Sequence, residues 1–438
     1  KRVTQIEANV DDVRPITDAD RQEILKQNKG MATQALRVLA MAYKVIDAVP
    51  EKLDSATVEN DLIFAGLIGM IDPERPEAAQ AVADAKKAGI RPLMITGDHQ
   101  DTAEAIAGRL GIIKPGDDDA VITGAELDQM SDEEFAKKVK QYSVYARVSP
   151  EHKVRIVKAW QDKGKVVAMT GDGVNDAPAL KSADIGIGMG ITGTEVSKSA
   201  SDMVLADDNF ATIIVAVEEG RKVFANIQKS IQYLLSANLG EVLTLFFMTL
   251  MGWDILVPVQ LLWINLATDT FPAIALGVEP TEPGIMKRQP RGRKANFLSG
   301  GVASSIIYQG ILEGVLTLGV YGWAINFPVH SSYNEIHADA LTMAYATLAL
   351  IQLFHAFNVK SIHQSLFKIH PFANRTFNIG ITLSTIMVAL TIVVPGFNKL
   401  FHVTELNLSQ WGIVLGAGIL MVVIVEIVKF VQRKMGRQ

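Results

Sequence analysis

The pattern of apolar and polar positions divides this 438-residue chain into two parts. Residues 1–225 alternate short apolar runs with charge-rich segments, whereas residues 231–431 consist mostly of long apolar runs. A helix needs roughly 20 apolar residues to cross a bilayer. The second part therefore predicts an α-helical membrane domain of six transmembrane helices, which we place at residues 229–251, 257–277, 302–326, 341–358, 376–395 and 410–431.

The first part alternates predicted strands and helices, which is the pattern of an α/β domain with a parallel sheet. A helix over Ala78–Ala88 leads into a strand over Ile90–Ile95, and further helices follow over Asp101–Leu110 and Glu151–Gln161. In such sheets, ligands bind beyond the carboxyl ends of the strands. The candidate site of this domain is therefore expected at its strand ends.

The strongest chemical signal is the run from Thr170 to Pro178, Thr-Gly-Asp-Gly-Val-Asn-Asp-Ala-Pro, which follows a short apolar run. It places the oxygen-bearing side chains of Asp172, Asn175 and Asp176 on one tight turn at a strand end. Its glycines let a ligand come close, and carboxylate and amide oxygens suit Mg²⁺ and the phosphate that it neutralises. A Gly-Asp-Gly triplet alone is more typical of a plain strand–turn–helix junction. The nine residues together favour the magnesium site.

Polar residues inside the predicted spans suggest a second site. A charged side chain at mid-bilayer costs about 2.5–3.5 kcal/mol on insertion scales, so such residues are usually functional. Asn238 and Glu241 lie three positions apart in the first span, and Asn265, Thr268 and Asp269 share a helical face in the second. Two carboxylates with amide and hydroxyl oxygens suit Ca²⁺. Asn and Thr also join helices in membranes, but that role explains the two acids poorly.

Charge and composition narrow the class of protein. Basic residues concentrate in one set of loops and in the C-terminal tail, whereas the opposite loops carry only Lys399. The positive-inside rule then places residues 1–225 and the C-terminus on the cytoplasmic side, and topology accounts for the basic run Lys287–Lys294 better than lipid recognition does. The net charge of −5 indicates no nucleic-acid partner, and the absence of cysteine excludes disulfides and thiolate metal sites.

The run Thr-Gly-Asp-Gly-Val-Asn-Asp-Ala-Pro-Ala-Leu resembles the hinge motif of P-type ATPases, the ion pumps that form an aspartyl-phosphate on a haloacid-dehalogenase-like domain. Four further segments support this likeness in the expected order: Asp72-Pro73, Met94–Asp98, Ala146–Lys153 and Met203–Phe210. The resemblance covers nearly the whole chain and is closest to type II pumps, particularly calcium pumps of sarco/endoplasmic reticulum type and their bacterial relatives.

The resemblance implies a fold and a division into domains. A haloacid-dehalogenase-like, Rossmannoid α/β cytoplasmic domain is expected before the membrane helices. Residues 1–70 would be the C-terminal part of the nucleotide-binding domain, residues 71–225 the phosphorylation domain and residues 226–438 the transmembrane domain. The helix running from Glu218 through Ile227 into the first span would couple the last two.

The resemblance also implies roles at the ATP and Mg²⁺ site. Lys153 and Thr96 would hold the phosphoryl oxygens, and Asp172 would ligate Mg²⁺. Asp72 would be the hinge acid between domains, and Arg37 would touch the nucleotide, although a surface ion pair explains it nearly as well. The complete implied set is Arg37, Thr96, Gly97, Asp98, Arg147, Lys153, Asp172, Asn175 and Asp176.

In the spans, the segments Ser236–Glu241 and Leu262–Asp269 are similar to those that supply cation ligands in calcium pumps. The implied ligands are Asn238, Glu241, Asn265, Thr268, Asp269 and Gln352. Gln352 stands in the fourth span, where two-site pumps carry a glutamate, which favours one ion per cycle. Glu241 favours the opposite, because one-ion pumps often lack it. Glu313 and Glu426 are intramembrane acids without an assigned role.

No Asp-Lys-Thr-Gly-Thr string, the family's nucleophile motif, occurs in the sequence. We therefore expect a longer pump whose actuator domain, first four spans and phosphorylated Asp lie outside this chain, and no ATP turnover by the chain alone. Two alternatives stay open: a pump for Na⁺, K⁺ or H⁺, and a non-catalytic partner chain. A bacterial plasma membrane is the expected location.

Overall fold

The structure is a computed structural model that describes residues 2–9, 12–34, 36–47, 55–71, 74–114 and 118–435. The chain forms two compact units. The first comprises Lys1–Ala216 with Met286–Arg293, and the second comprises Val217–Ile285 with Lys294–Gln438. The basic segment between the second and third spans thus belongs to the first unit, where Arg293 forms an ion pair of 2.8 Å with Asp184.

The first unit begins with a four-stranded mixed sheet in the order β2-β1-β4-β3. Strand β1 is parallel to β4 and antiparallel to β2, and β3 is antiparallel to β4. The elements are β1 (Val3–Asn9), β2 (Asp12–Pro15), α1 (Asp18–Ala32), β3 (Arg37–Tyr43), α2 (Ser55–Val58) and β4 (Leu62–Met70).

The rest of the first unit contains two three-stranded sheets, in the orders β5-β7-β6 and β10-β9-β8, and all their strand pairs are parallel. This confirms the predicted parallel α/β architecture. The strands are β5 (Met94–Ile95), β6 (Val121–Thr123), β7 (Val144–Ala146), β8 (Ala168–Gly171), β9 (Ile185–Met189) and β10 (Met203–Leu205). The helices are α3 (Pro76–Lys87), α4 (Gln100–Arg109), α5 (Gly124–Asp128), α6 (Asp132–Lys138), α7 (Pro150–Asp162), α8 (Ala177–Ser182) and α9 (Glu195–Ser199).

The strand predicted over Ile90–Ile95 is wrong in its first four residues, because only Met94–Ile95 pair in the sheet. The Ile90 N–H donates to the Ala85 carbonyl and so closes helix α3. Pro92 has no N–H to offer a ladder. Strand pairing can therefore start only at Met94.

Shared apolar side chains pack the two parallel sheets together. Ile95 and Val167 contact the core of Phe135 and Tyr145, and they also contact the core of Met169. Strands β5 and β8 therefore share apolar contacts. The sequence predicted a site at the carboxyl ends of these two strands.

Asp208, which follows β10, ties two loops of the first unit together. It is buried, and its carboxylate accepts hydrogen bonds from the backbone N–H groups of Ile191 and Thr192 at 3.0 and 2.7 Å and from the Thr192 hydroxyl. The backbone hydrogen bond from Ile191 is the main cause that lowers the pKa of Asp208 to about 2.

We expect Asp208→Asn to lower the melting temperature of the chain at pH 7. The folded-state pKa lies below the unfolded value of about 3.9, so this stabilisation is present above that pH and is lost as the pH falls through about 2. The difference between variant and wild type should therefore shrink below about pH 4. Thermal unfolding followed by circular dichroism measures it. Asp162→Asn, at an exposed position, is the control, and an equal difference at all pH values would contradict the prediction.

The described part of the second unit is helical, and six of its helical segments are long and apolar enough to cross a membrane, as predicted. Helix α14 is the central one, because most of its apolar stretch is buried. Helix α10 is continuous through Glu218–Ile227, as predicted. The elements are α10 (Phe210–Leu250), α11 (Pro258–Ile264), a π-helical segment (Asn265–Asp269), α12 (Thr270–Gly277), α13 (Val302–Asn326), α14 (Tyr333–Val359), α15 (Arg375–Val393), α16 (Phe397–Phe401) and α17 (Leu408–Lys434).

Candidate functional site

The loop after β8 is closed by Asp176. Its Oδ2 accepts hydrogen bonds from the backbone N–H groups of Asp172 and Gly173, at 3.2 and 3.1 Å. Gly171 permits this closure, because a Cβ at that position would lie 2.4 Å from the Cβ of Asp176. The loop therefore holds one buried carboxylate beneath a turn of backbone N–H groups.

Lys153 reaches the same carboxylate from helix α7. This helix begins at Ser149, whose side chain accepts from the His152 N–H, and Pro150 occupies its first turn. The Lys153 ammonium donates to Asp176 Oδ1 at 2.5 Å, and the two side chains are only 15% and 10% exposed. The structure thus brings together two of the residues that the sequence assigned to one site.

The acceptor side chains of Asp172 and Asn175 are exposed. Neither side chain has a hydrogen-bond partner in the described part of the chain. The backbone beneath Asp172 is fixed, because its carbonyl accepts from the Thr194 N–H at 2.8 Å and from the Ser197 hydroxyl at 3.0 Å. A rigid backbone that presents unpartnered carboxylate and amide oxygens suits Mg²⁺, which prefers oxygen ligands.

Thr96, Gly97 and Asp98 follow β5 and form a compact turn. The Thr96 hydroxyl donates to Asp98 Oδ2 at 3.0 Å and accepts from the Asp98 N–H at 3.1 Å. The Asp98 carbonyl accepts from the Arg147 N–H at 3.0 Å, and Arg147 has a left-handed backbone with φ of 50°. Gly97 is exposed, and a Cβ there would meet nothing within 4 Å, so the turn is open to a ligand.

Arg37 and Arg147, the residues predicted to contact the nucleotide, form no side-chain hydrogen bonds to these turns among the described residues. Arg37 begins β3 with its side chain exposed, and the Arg147 side chain is exposed too. Within the described ranges, neither guanidinium hydrogen-bonds or ion-pairs with Thr96, Lys153 or Asp172. Asp72 lies outside the described residues.

In the helical unit, four predicted ligands form one hydrogen-bonded cluster. Glu241 Oε1 accepts from the Gln352 amide at 3.0 Å, and Glu241 Oε2 accepts from the Asn265 amide at 3.3 Å. The Thr268 hydroxyl lies 2.5 Å from Gln352 Oε1. Glu241, Thr268 and Gln352 are buried. The cluster therefore links α10, the π-helical segment and α14.

Asp269 completes this cluster as an acceptor without a donor. It is buried, and among the described residues its Oδ1 has no hydrogen-bond partner. Asp269 is the last residue of the π-helical segment Asn265–Asp269. Two backbone carbonyls of this segment accept from other helices: the Tyr233 hydroxyl donates to Thr268 O at 2.5 Å, and the Ser384 hydroxyl donates to Ala267 O. Single π-helical turns occur frequently at functional sites. An unpartnered buried carboxylate oxygen beside Glu241 fits a cation.

Asn238 is not brought into the cluster. It is exposed, whereas Glu241, three residues later, is buried. Its amide donates to the carbonyl of Leu234 in its own helix at 2.7 Å. Asn238 therefore lies outside the hydrogen-bonded cluster, although its spacing from Glu241 is that of neighbours on a helical face.

Comparisons with known proteins match each of the two parts of the chain to a family. Residues 4–184 match the family described as haloacid dehalogenase-like hydrolase, and residues 254–431 match the family described as cation transporting ATPase, C-terminus. The order of a haloacid-dehalogenase-like domain and a cation-transporter membrane domain in one chain is decisive. This chain belongs to the P-type cation-transporting ATPases.

Several curated ATPases are similar to this P-type ATPase chain. Calcium-transporting ATPase 1 of Bacillus cereus is 46% identical over 434 residues, which cover 96% of this chain and 48% of that protein. The calcium-transporting ATPase of Bacillus subtilis is 44% identical over 401 residues, or 91% of this chain and 44% of that protein. The calcium-transporting ATPase of Plasmodium falciparum is 37% identical over 481 residues, or 97% and 39%. The chain spans about half the length of the two Bacillus relatives and 39% of the Plasmodium one.

Glu313, His355 and Glu426 are among the ionisable residues of this P-type ATPase chain that were not assigned to a site from the sequence. Glu426 on α17 accepts from the Ser365 hydroxyl at 2.6 Å and pairs with Lys429 at 3.2 Å, so its carboxylate is already partnered. Glu313 on α13 and His355 on α14 are fully buried. Gly310 and Gly314 precede and follow Glu313 in α13, and small residues of this kind indicate close helix packing in membranes. No pattern in the sequence indicated a role for His355.

Proposed function

We propose that this chain is part of an ATP-driven pump that moves Ca²⁺ out of the cytoplasm through an aspartyl-phosphate intermediate. The observation that carries the proposal is the buried oxygen cluster of Glu241, Asn265, Thr268, Gln352 and the unpartnered Asp269. Such a set of hard oxygens suits Ca²⁺, and similar proteins are named calcium-transporting ATPases.

The cytoplasmic chemistry in this proposal is the positioning of a phosphoryl group. Bound Mg²⁺ would neutralise charge on the phosphate oxygens during transfer. Asp172 would ligate that ion with its free carboxylate, and Asn175 would add an amide oxygen. Lys153 would stabilise the transferring phosphoryl group electrostatically, while its bond to Asp176 keeps the ammonium in place.

The opposite strand end would complete the nucleotide side of the pocket. Thr96 would bind a phosphoryl oxygen with its hydroxyl, and the exposed Gly97 and Asp98 would line the opening. Arg147 and Arg37 would contact ATP with their exposed side chains. The nucleophilic Asp, the actuator domain and four further spans would come from the remainder of the same pump, which is this chain's principal partner alongside the lipid bilayer.

The charge of the membrane cluster favours one Ca²⁺ per cycle. Glu241 and Asp269 supply two negative charges when ionised, which balance one divalent cation, and Gln352 adds none. Asn238 would join as a further ligand only by turning its amide away from Leu234. We further propose a bacterial plasma membrane, with residues 1–225 and the C-terminus in the cytoplasm.

The experiment that tests this function is ATPase activity of the complete pump in vesicles, titrated with free Ca²⁺ at fixed Mg²⁺. We expect activation at micromolar Ca²⁺ and its loss in Asp269→Asn, because the variant removes the unpartnered buried carboxylate. Activation by Na⁺, K⁺ or protons instead would replace the proposed ion. A flat response to every cation would contradict a pump.

A further inference from the structure

A second pair of ionisable side chains lies in the helical unit, outside the cation cluster. Glu313 and His355 are both 0% exposed. Glu313 Oε1 lies 3.9 Å from His355 Nε2. Within the described residues, neither carboxylate oxygen of Glu313 nor Nδ1 of His355 has a hydrogen-bond partner. Buried polar atoms are nearly always hydrogen-bonded, so unpartnered atoms on both side chains indicate a ligand that the two share.

Three glycines build the space for this pair at the contact of α10 and α13. A Cβ on Gly240 would lie 2.9 Å from both the Cβ and Oε2 of Glu313, and a Cβ on Gly310 would lie 2.8 Å from the Leu239 Cβ. A Cβ on Gly314 would lie 3.3 Å from the Leu243 Cβ. The glycines thus admit the Glu313 carboxyl group to the contact between α10 and α13.

The hydrogen bonds of Ser236 indicate where a proton can go. Its hydroxyl lies 2.8 Å from the Gln232 carbonyl and 3.2 Å from His355 Nε2. The hydroxyl can donate to the carbonyl and accept from Nε2–H, which leaves Nδ1 of His355 with a free lone pair. The pair therefore has acceptor sites for protons at Nδ1 and on the Glu313 carboxylate.

The charges that face the pair are mostly negative. The carboxylates of Glu241 and Asp269 interact electrostatically with Glu313. The Tyr233 ring stacks on the His355 ring, with 6.4 Å between the ring centroids. Lys429 on α17 interacts electrostatically with His355. Its ammonium also donates to the Asn358 carbonyl at 2.6 Å and forms an ion pair with Glu426. Three carboxylates in one membrane core are costly unless protons or a metal cation neutralise them.

We propose that Glu313 and His355 form a proton-binding site separate from the cation ligands, which holds a proton while the cation cluster is empty and releases it when a divalent cation binds. This proposal rests on the proposed function, because the bound cation supplies the charge that displaces the proton. In the step, a proton leaves the Glu313–His355 pair for water as the cation enters beside Glu241. No electron is transferred, and the pair stays in place.

Infrared difference spectroscopy of the chain in phosphatidylcholine vesicles tests the site without pump activity. At neutral pH without Ca²⁺, wild type should show a protonated-carboxyl band that Glu313→Gln loses and that His355→Gln shifts. Raising the pH or adding Ca²⁺ should remove this Glu313-dependent band. Glu426→Gln, which changes an acid already bound by Ser365 and Lys429, should leave the band in place.

Proton release on Ca²⁺ binding by the complete pump is the second measurement, made with a pH indicator in weak buffer. Glu313→Gln and His355→Gln should each lower the number of protons released per Ca²⁺ bound, while Glu426→Gln keeps the wild-type number. A spectrum unchanged by Glu313→Gln, or an unchanged proton count in both variants, would overturn the site. A pump that ignores Ca²⁺ but retains the pH-dependent Glu313 band would disprove the proposed function and leave the proton site standing.

Discussion

Replacing Lys153 with glutamine should slow phosphorylation of the complete pump by ATP about 10²–10³-fold, the usual loss when one preorganised electrostatic donor is removed. Lys153 is largely buried, and its ammonium donates to Asp176 at 2.5 Å. Glutamine can keep a hydrogen bond to Asp176 but removes the positive charge that would face the phosphoryl oxygens. Single-turnover formation of phosphoenzyme from labelled ATP measures the effect.

The matched control is Lys158→Gln on the same helix α7, where the side chain is exposed. It removes the same charge from the domain and should leave the phosphorylation rate within about twofold, since surface substitutions away from such features have small effects. Cation binding should be unchanged in both variants. Equal rates for Lys153→Gln and wild type would show that the Lys153–Asp176 pair is structural only.

Much of the candidate site at the strand ends could be predicted, because local sequence determines where its residues lie. The loop from Asp172 to Asp176 follows a strand, so its position at the sheet edge follows from the strand itself. Thr96 and Asp98 were predictable for the same reason. The sequence could not show that Asp176 would turn inward under Gly171, since that depends on a Cβ-free approach of 2.4 Å.

Four of the predicted cation ligands are hydrogen-bonded to one another in the helical unit, but the sequence did not predict how they are arranged. Helical spacing placed Thr268 and Asp269 near Asn265, but a period of 3.6 residues cannot reveal the π-helical turn over Asn265–Asp269. That turn is stabilised by hydroxyl groups from other helices, those of Tyr233 and Ser384. Such partners come from tertiary packing, which spacing within one helix does not encode.

Long-range packing also explains the residues that sequence patterns missed or misplaced. Glu313 and His355 lie 42 positions apart in sequence, and their approach depends on Gly240 and on two glycines of α13. Asn238, conversely, shares a motif with Glu241 and yet donates to its own helix. A motif identifies residue types, whereas the neighbouring helices decide which of them face one another.

Replacing Glu241 with glutamine should weaken Ca²⁺ binding by more than the about 10–100-fold that changes around metal ligands typically cost. Glu241 is the centre of the cluster, because its two oxygens accept from Gln352 on α14 and from Asn265 beside α11. Glutamine has the same shape but replaces one acceptor oxygen by an amide donor, which would face the donor groups already present. It also leaves Asp269 as the cluster's sole carboxylate. Equilibrium binding of radioactive Ca²⁺ to the pump in vesicles measures the loss.

Glu426→Gln is the matched control for this charge removal, because Glu426 lies in the same helical unit and is bound by Ser365 and Lys429. Its Ca²⁺ affinity should stay near wild type. The Lys153–Asp176 site is built from other residues, so phosphorylation of Glu241→Gln by inorganic phosphate, the back reaction that needs no bound Ca²⁺, should persist. A variant that loses Ca²⁺ binding and keeps this back reaction would place Glu241 among the cation ligands. Wild-type affinity in Glu241→Gln would exclude the cluster as the transport site, because no ion bound between these oxygens could be indifferent to the loss of half its carboxylate charge.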